Sequence, residues 1–198
     1  MKIICIEGNY ISNKENYHYP VFSIKPESSL LRNNRPFFIP DHSHYISPRI
    51  HLALRISRLG KSIRDKFAHM YYNEIGIGID MIASDTLEMC RKKRLPWDPA
   101  KAYDSSSPIG NFISIHSINN NGSIPFSLKI NDRIISEQNS SEMLFHFDKI
   151  IEHISKYVIL KTGDLIYTGS PDNSYSVKIN DRIEGYIFNN RLLWFNVK

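Results

Sequence analysis

Two apolar alternating runs set the limits on what this chain can fold into. Arg49 to Ile56 reads R-I-H-L-A-L-R-I, and Ile75 to Asp80 reads I-G-I-G-I-D. Period-two alternation rich in isoleucine predicts strands. Arg49 and His51 are two apart, so on a strand both point to one side. Asp80 ends the second run, where the strand gives way to the next element. The loop P-W-D-P-A-K-A-Y-D, Pro96 to Asp104, then supplies Lys101 and Asp104. A polar pair on a strand, a strand-end Asp and a loop Lys can converge on one pocket.

A chain of 198 residues with 41% hydrophobic content can bury a sizeable core as one domain, 1–198. Its net charge is +5, with Lys and Arg scattered except for Arg91 to Arg94. That run reads as a solvated helix end rather than a nucleic-acid contact, and with no nucleic-acid motif present the expectation is a chain that binds no nucleic acid. Cys5 and Cys90 lie far apart, in an apolar strand and a predicted helix, which points to reduced, buried or inert thiols. The apolar run at the N-terminus is too short for a signal peptide, and no stretch is long enough to span a membrane. The expectation is a cytoplasmic protein without membrane contact. Asn121 and Asn139 head glycosylation patterns that carry no meaning in that setting.

Strands are predicted over Lys2 to Ile6, Val21 to Ile24, Phe112 to Ile115 and Asp164 to Tyr167, with Pro36 to Pro40 as an edge strand. Glu7 to Tyr19 reads as a loop. Hairpins are expected at Phe126 to Ile130 with Arg133 to Ser136, and at Ile183 to Phe188 with Leu192 to Val197 over Asn189-Asn190. The six residues K-I-N-D-R-I occur at Lys129 and again at Lys178 as their first residue, which reads as two similar turns. Helices are predicted over Ile63 to Tyr72, with Ile63, Phe67, Met70 and Tyr71 on one face, and over Asp85 to Lys93, capped by Ser84 or Asp85. The clearest helix is Ser141 to Tyr157, whose stripe is Met143, Phe147, Ile150, Ile151 and Ile154. The class is α+β, strand-rich, with about three helices.

Several motifs together carry a resemblance. V-F-S-I-K-P-E-S-S-L-L (Val21 to Leu31), Asn9-Tyr10, Asp80 with Ala83 and Asp85, N-S-S-E-M-L-F (Asn139 to Phe145) and L-K-T-G-D-L-I-Y-T-G-S-P (Leu160 to Pro171) resemble the fumarylacetoacetate hydrolase family. The resemblance spans Lys2 to Val197. It implies a β-roll of mixed sheets, usually a homodimer, acting on 2-oxo acids as a hydrolase, decarboxylase or isomerase. It implies Mg²⁺ or Mn²⁺ held by a Glu-x-Glu pair and an Asp, with a His-Glu pair on a mobile lid activating water. It also implies substrate contacts at Lys101, Asp104, Thr168, Gly169 and Ser170.

The departures fall on the chemistry. Asp80 keeps its ligand position, but the two Glu positions are Arg49 and His51. Two negatives are lost and one positive gained, and like unit charges about 4 Å apart repel by about 4 kcal/mol at an effective dielectric of 20. Arginine cannot escape by losing its proton. The expected cofactor is therefore none, or Mg²⁺ or Mn²⁺ if the family's activity survives. His51 with Asp80 is a weak pair of ligands for a softer metal. Arg49 can pair with Asp80, either as a stand-in for the metal that binds a carboxylate together with Lys101, or simply to satisfy a buried Asp. No His follows Asn9-Tyr10 at the lid position, where Asn13 falls, and Glu15 matches the lid acid only with one deletion. Position 84 holds Ser in place of the pocket Arg, and D-N-S-Y (Asp172 to Tyr175) replaces Gly-Val-Gly. Lys101 reads as a substrate contact or acid, or as half of an ion pair with Asp104. The leading expectation is a member without the metal-dependent C–C chemistry that binds a small 2-oxo acid or a partner protein. The alternatives are an active enzyme on a 2-oxo acid or acylpyruvate-type dicarbonyl, and a structural subunit.

Overall fold

The computed structural model describes residues 1–11, 17–118, 123–171 and 175–198. The strands are β1 (Lys2–Glu7), β2 (Val21–Pro26), β3 (Leu30–Leu31), β4 (Ile46–Ile56), β5 (Tyr72–Ala83), β6 (Ser107–Ser114), β7 (Pro125–Ile130), β8 (Arg133–Asn139), β9 (Leu165–Tyr167), β10 (Arg182–Ile187) and β11 (Asn190–Asn196). The helices are α1 (Asp65–Ala68), α2 (Ser84–Lys93), α3 (Asp98–Lys101) and α4 (Phe147–Tyr157). One mixed sheet has the order β2-β1-β9-β4-β5-β6-β3, and the other has the order β11-β10-β7-β8. This is the strand-rich α+β architecture that the alternating runs predict.

The two sheets pack face to face, β10 and β11 against β5 and β7 against β4. Alternation decides which side chains enter that core. Ile50, Leu52 and Leu54 of β4, Ile75, Ile77 and Ile79 of β5, and Ile4 and Ile6 of β1 all point into it. The residues between them face the other way. Ile3, Cys5, Ala53 and Tyr167 form a smaller apolar cluster on that second face. Cys5, Glu7, Ser23, Lys25, Arg49, His51 and Asp80 share its phase along their strands. The long antiparallel pair β4–β5 fixes the register, with Arg49 opposite Asp80 and His51 opposite Gly78. A Cβ at Gly78 would lie 2.3 Å from the Tyr167 ring, so only glycine lets that ring lie over the sheet.

Several expected elements differ. Pro36 to Pro40 is not a strand: it follows the C-terminus through one bridge, Phe37 to Val197, because its prolines lack the N–H a ladder needs. Ile63 to Tyr72 is helical only over α1 and a 3₁₀ turn, because Tyr72 already starts β5, and Phe67 and Met70 are exposed rather than buried. The Ser141 to Tyr157 helix begins only at Phe147. Asn139 accepts the Ser141 N–H at 3.0 Å to cap a 3₁₀ turn, and Met143 then bridges Tyr10. Neither Ser84 nor Asp85 caps α2. Its N-cap is Ala83, while Asp85 accepts from Ser43 Oγ and the His44 N–H and fastens that loop to the helix. The closing hairpin turns on Phe188-Asn189, with Phe188 in the left-handed region. The two K-I-N-D-R-I copies lie side by side: Ile183 pairs with Ile130, and Asn131 Nδ2 donates to Asp181 Oδ1 at 2.7 Å. Cys5 and Cys90 are buried free thiols, and burial pushes Cys5 up to about 12. Among the described residues no helix is long and apolar enough to cross a membrane.

Candidate active site

On the second face of the large sheet lies a cavity of about 440 Å³, lined among others by Glu7, Tyr17, Arg49, His51, Asp80, Leu87, Arg91, Trp97, Lys101 and Ser170. Strand alternation delivers Glu7, Arg49, His51 and Asp80 to it. The one-turn helix α3 delivers Lys101, and α2 delivers Leu87 and Arg91.

At its base is a buried charge cluster. Lys25 Nζ lies 2.6 Å from Asp80 Oδ1 and donates to Ser107 Oγ at 2.8 Å. Lys101 Nζ lies 3.5 Å from Asp80 Oδ2 and pairs closely with Glu7 Oε1, which also accepts from Ser23 Oγ. Lys25 and Asp80 are each 1% exposed, so full pairing is what makes their burial tolerable. Burial works to raise the Asp80 carboxyl, but Lys25 and Lys101 outweigh it and hold it down at about 2. Burial works to lower the Lys101 ammonium, but Asp80 and Glu7 outweigh it and raise it. Lys101 is therefore a fixed cation, and not the acid with a burial-lowered pKa that its loop position suggests.

His51 is buried, and its Nδ1 accepts the Gly169 N–H at 3.2 Å. Burial drives the ring down to about 3, against the pull of Asp80 and with the help of Lys101, Lys25 and Arg49. A neutral ring whose Nδ1 is an acceptor carries its proton on Nε2. That Nε2 is buried without a hydrogen-bond partner among the described residues, in a side chain that lines the cavity. Burial lowers Arg49 as well, opposed by Asp80 and Glu7 and reinforced by Arg91.

Asp80 thus takes Lys25 as its 2.6 Å ion-pair partner, where sequence reasoning paired it with Arg49. Ser170 lines the cavity. Gly169 acts through its N–H on His51, and Thr168 Oγ1 donates to the Leu52 carbonyl, away from the cavity. Asp104 is exposed and outside the lining, and Lys101 pairs with Glu7 and Asp80 in its place. Glu15 and Asn13 of the expected lid, Asp172 to Ser174 and the Asn121 pattern fall outside the described residues. Sequence reasoning assigned no role to Lys25, Glu7 or Arg91. The phase of Glu7 with Cys5, and of Lys25 with Ser23, was the available signal.

The residues present do not fit a divalent cation. Both Asp80 oxygens face ammonium groups, Arg49 is its cross-strand neighbour, and His51 Nδ1 is engaged by Gly169. No cluster of three His, Cys, Asp or Glu able to hold a metal occurs among the described residues. Hard cations need several oxygen ligands, and here the carboxylates already have partners.

Comparison with known proteins agrees with the fold. A family model described as fumarylacetoacetate (FAA) hydrolase C-terminal matches residues 2–190. The mitochondrial oxaloacetate tautomerase FAHD1 of Rattus norvegicus is 30% identical, over 93% of this chain and 86% of its own. The mitochondrial oxaloacetate decarboxylase of Dictyostelium discoideum is 31% identical, over 89% and 84%. A family protein from Yersinia pestis CO92 superposes with a TM-score of 0.93 at 24% identity, covering 100% of this chain and 93% of that one. Fumarylpyruvate hydrolase from Pseudomonas aeruginosa, solved with Mn²⁺ and pyruvate, superposes with 0.90 at 21%, covering 100% and 89%. The match runs through both strands and every loop that build the cavity, and on that ground the chain belongs to the fumarylacetoacetate hydrolase family.

Proposed function

We propose that this chain binds a small 2-oxo acid through fixed hydrogen-bond donors in place of a divalent metal, and that it has lost the metal-dependent C–C chemistry. The observation that carries this reading is His51 Nε2–H, a buried donor without a partner among the described residues, two residues from Arg49 on one strand face. An unmet buried donor costs about 1–3 kcal/mol, which a ligand oxygen would recover. Among the described residues the surrounding cations, Arg91, Lys101 and Lys25 beside Arg49, outnumber the carboxylates Glu7 and Asp80. The relatives named for oxaloacetate chemistry, and the Mn²⁺–pyruvate complex of a protein with this fold, suggest the class of acid. A homodimer in the cytoplasm is part of the proposal, tested by light scattering and cell fractionation.

A second reading keeps turnover. A donor such as His51 Nε2–H stabilises an enolate oxygen, so a keto–enol proton shift is the family-type reaction this site supports without a metal. The relative named as an oxaloacetate tautomerase favours it. It needs a base, and Glu15, expected for that role, lies outside the described residues.

The test is calorimetry of pyruvate and oxaloacetate in EDTA, alongside assays of decarboxylation and tautomerisation with and without Mg²⁺. Binding in EDTA that Mg²⁺ does not change, without decarboxylation above the solvent rate, is the expected result. Binding that appears only with Mg²⁺ defeats the proposal, and metal-independent tautomerisation moves the second reading to first place.

A further inference from the structure

The Nε2–H of His51 serves a ligand only while the ring keeps one orientation, and the hydrogen bond at Nδ1 does not fix that orientation alone. We infer that Tyr167 is a positioning residue for His51: its ring braces the imidazole so that Nε2–H stays turned toward the cavity. This rests on the reading that an acid binds to that donor, and adds what keeps the donor aimed.

The torsion that turns an imidazole about its Cβ–Cγ bond has broad, shallow minima. The Gly169 N–H, 3.2 Å from Nδ1, fixes the place of that nitrogen but leaves the ring able to tilt about the contact. A second contact is needed, and strand phase provides it. In β9 Ile166 enters the core between the sheets, so Leu165 and Tyr167 face the other way, on the side of His51. Tyr167 stands beside Ala53 of β4 and Cys5 of β1, both small. Its hydroxyl donates to the Pro108 carbonyl of β6 at 3.1 Å. In the sheet β4 and β5 lie between β9 and β6, so the side chain runs across the sheet. It passes Gly78, the residue opposite His51, whose missing Cβ leaves room for the ring.

The Tyr167 ring is therefore held at both ends, by its strand and by its hydroxyl. It is 0% exposed, and its centroid lies 5.4 Å from that of His51 with 37° between the planes, inside the range of an aromatic pair. His51 thus has Gly169 on one nitrogen and a fixed ring against its own. Nε2 is the nitrogen left over, buried and without a partner among the described residues, in a side chain that lines the cavity. A donor built for a ligand needs its rotamer locked by packing of this kind. Tilting the ring would weaken the bond at Nδ1, and that bond is what keeps the proton on Nε2. The tautomer of His51 therefore reports its orientation.

The experiment joins NMR of the histidine ring nitrogens with calorimetry of pyruvate in EDTA, on the full wild-type chain, Tyr167→Met, Tyr167→Phe and Phe126→Leu. Phe126 is buried in the core between the sheets and controls for general loosening. The His51 signals are those missing from His51→Asn. Wild type shows His51 as one tautomer, protonated on Nε2 and cross-relaxing with the Tyr167 ring. Tyr167→Met gives averaged nitrogen signals and weakens pyruvate by about 10-fold, the worth of one well-aimed hydrogen bond. Tyr167→Phe keeps the ring, and with it the single tautomer and pyruvate binding within about twofold. Phe126→Leu lowers the melting temperature and changes neither readout. A single tautomer in Tyr167→Met overturns the brace, and so does equal averaging in Tyr167→Phe or Phe126→Leu. If Tyr167→Met does not fold, wild type decides: mixed tautomers, or no cross-relaxation with the Tyr167 ring, overturn it. Averaged signals in Tyr167→Met with undiminished pyruvate binding uphold the brace and remove the donor from binding. Pyruvate that does not bind wild type defeats the acid-binding reading, and the nitrogen signals still decide the role of Tyr167.

Discussion

Burying His51 as a neutral ring makes the fold sensitive to mild acid, and the size of the effect can be worked out. The ring ordinarily titrates near 6.5 and is driven to about 3 here. Between those values the unfolded chain takes up a proton that the folded chain refuses. Stability is therefore complete above the ordinary value and is lost as pH falls toward the folded one, at about 1.36 kcal/mol per pH unit. From neutrality to pH 5 the loss is about 2 kcal/mol, and near pH 3 it reaches about 4 kcal/mol, a large share of the total for an ordinary domain. For a chain of this length about 2 kcal/mol lowers the melting midpoint by about 4–8 °C. Asp80, held at about 2 against an ordinary 3.8, keeps its stabilising share down to about pH 4 and loses it only below that, outside the comparison from pH 7 to 5. The control is His51→Asn, whose Oδ1 can still accept the Gly169 N–H but does not titrate. Urea denaturation of both proteins at pH 7, 6 and 5 should show the wild type losing about 2 kcal/mol more than the variant across that range. The other histidines cancel in the difference. Equal slopes for the two proteins would refute the neutral buried ring, and with it the Nε2–H donor on which the proposed ligand binding rests.

Lys25→Met removes the 2.6 Å partner of a buried carboxylate and should cost about 3–5 kcal/mol, while adding Asp80→Asn should restore part of that; urea midpoints of the single and double variants decide it. The Arg49→Glu/His51→Glu double variant turns the two altered positions back into carboxylates beside Asp80 and should gain Mg²⁺ and Mn²⁺ binding by calorimetry that the native chain lacks. Micromolar Mg²⁺ binding by the native chain would refute the charge argument. Gly169 has φ +112°, and a Cβ there would lie 2.6 Å from Asn9 Cβ. Gly169→Ala should therefore cost about 1–3 kcal/mol in thermal melts and loosen the anchor on His51 Nδ1.

The sheets were legible because period-two alternation in 49–56 and 75–80 carries its own geometry, and the same phase put Arg49, His51 and Asp80 on one face. Lys101 was legible through its loop. The pairing among these residues was not, because it depends on which strand lies beside which. Asp80 of β5 meets Lys25 of β2, a strand that is not its neighbour in the sheet, and no local pattern encodes such a meeting. Asp104 misled because proximity in sequence to Lys101 says nothing about direction once a one-turn helix intervenes. The segment before α4 misled for a related reason: its apolar stripe is real, but Asn139 and Tyr10 hold the first residues in other structure.

The motifs that carry the family resemblance divide by what their side chains touch. Asn9 donates to the Phe145 and Thr168 carbonyls and accepts the Phe145 N–H, tying three separated segments together. Asp164 accepts the backbone N–H groups of Lys2 and Lys161, and Thr168 holds the Leu52 carbonyl. None of these bonds involves positions 49 or 51, so both can change while the frame stays intact. Charge then restricts which changes are tolerable. Three carboxylates on this face would carry a formal −3 and need a dication. Arg49 and a neutral His51 in place of two carboxylates remove two negative charges and add one positive, which takes away the need for a dication. Replacing one Glu alone would leave a surplus of negative charge without enough ligands to hold a metal. Arg49 and His51 are therefore best understood as one exchange. On the proposed function, it exchanges a bound ion for donors that the chain itself presents to an incoming anion.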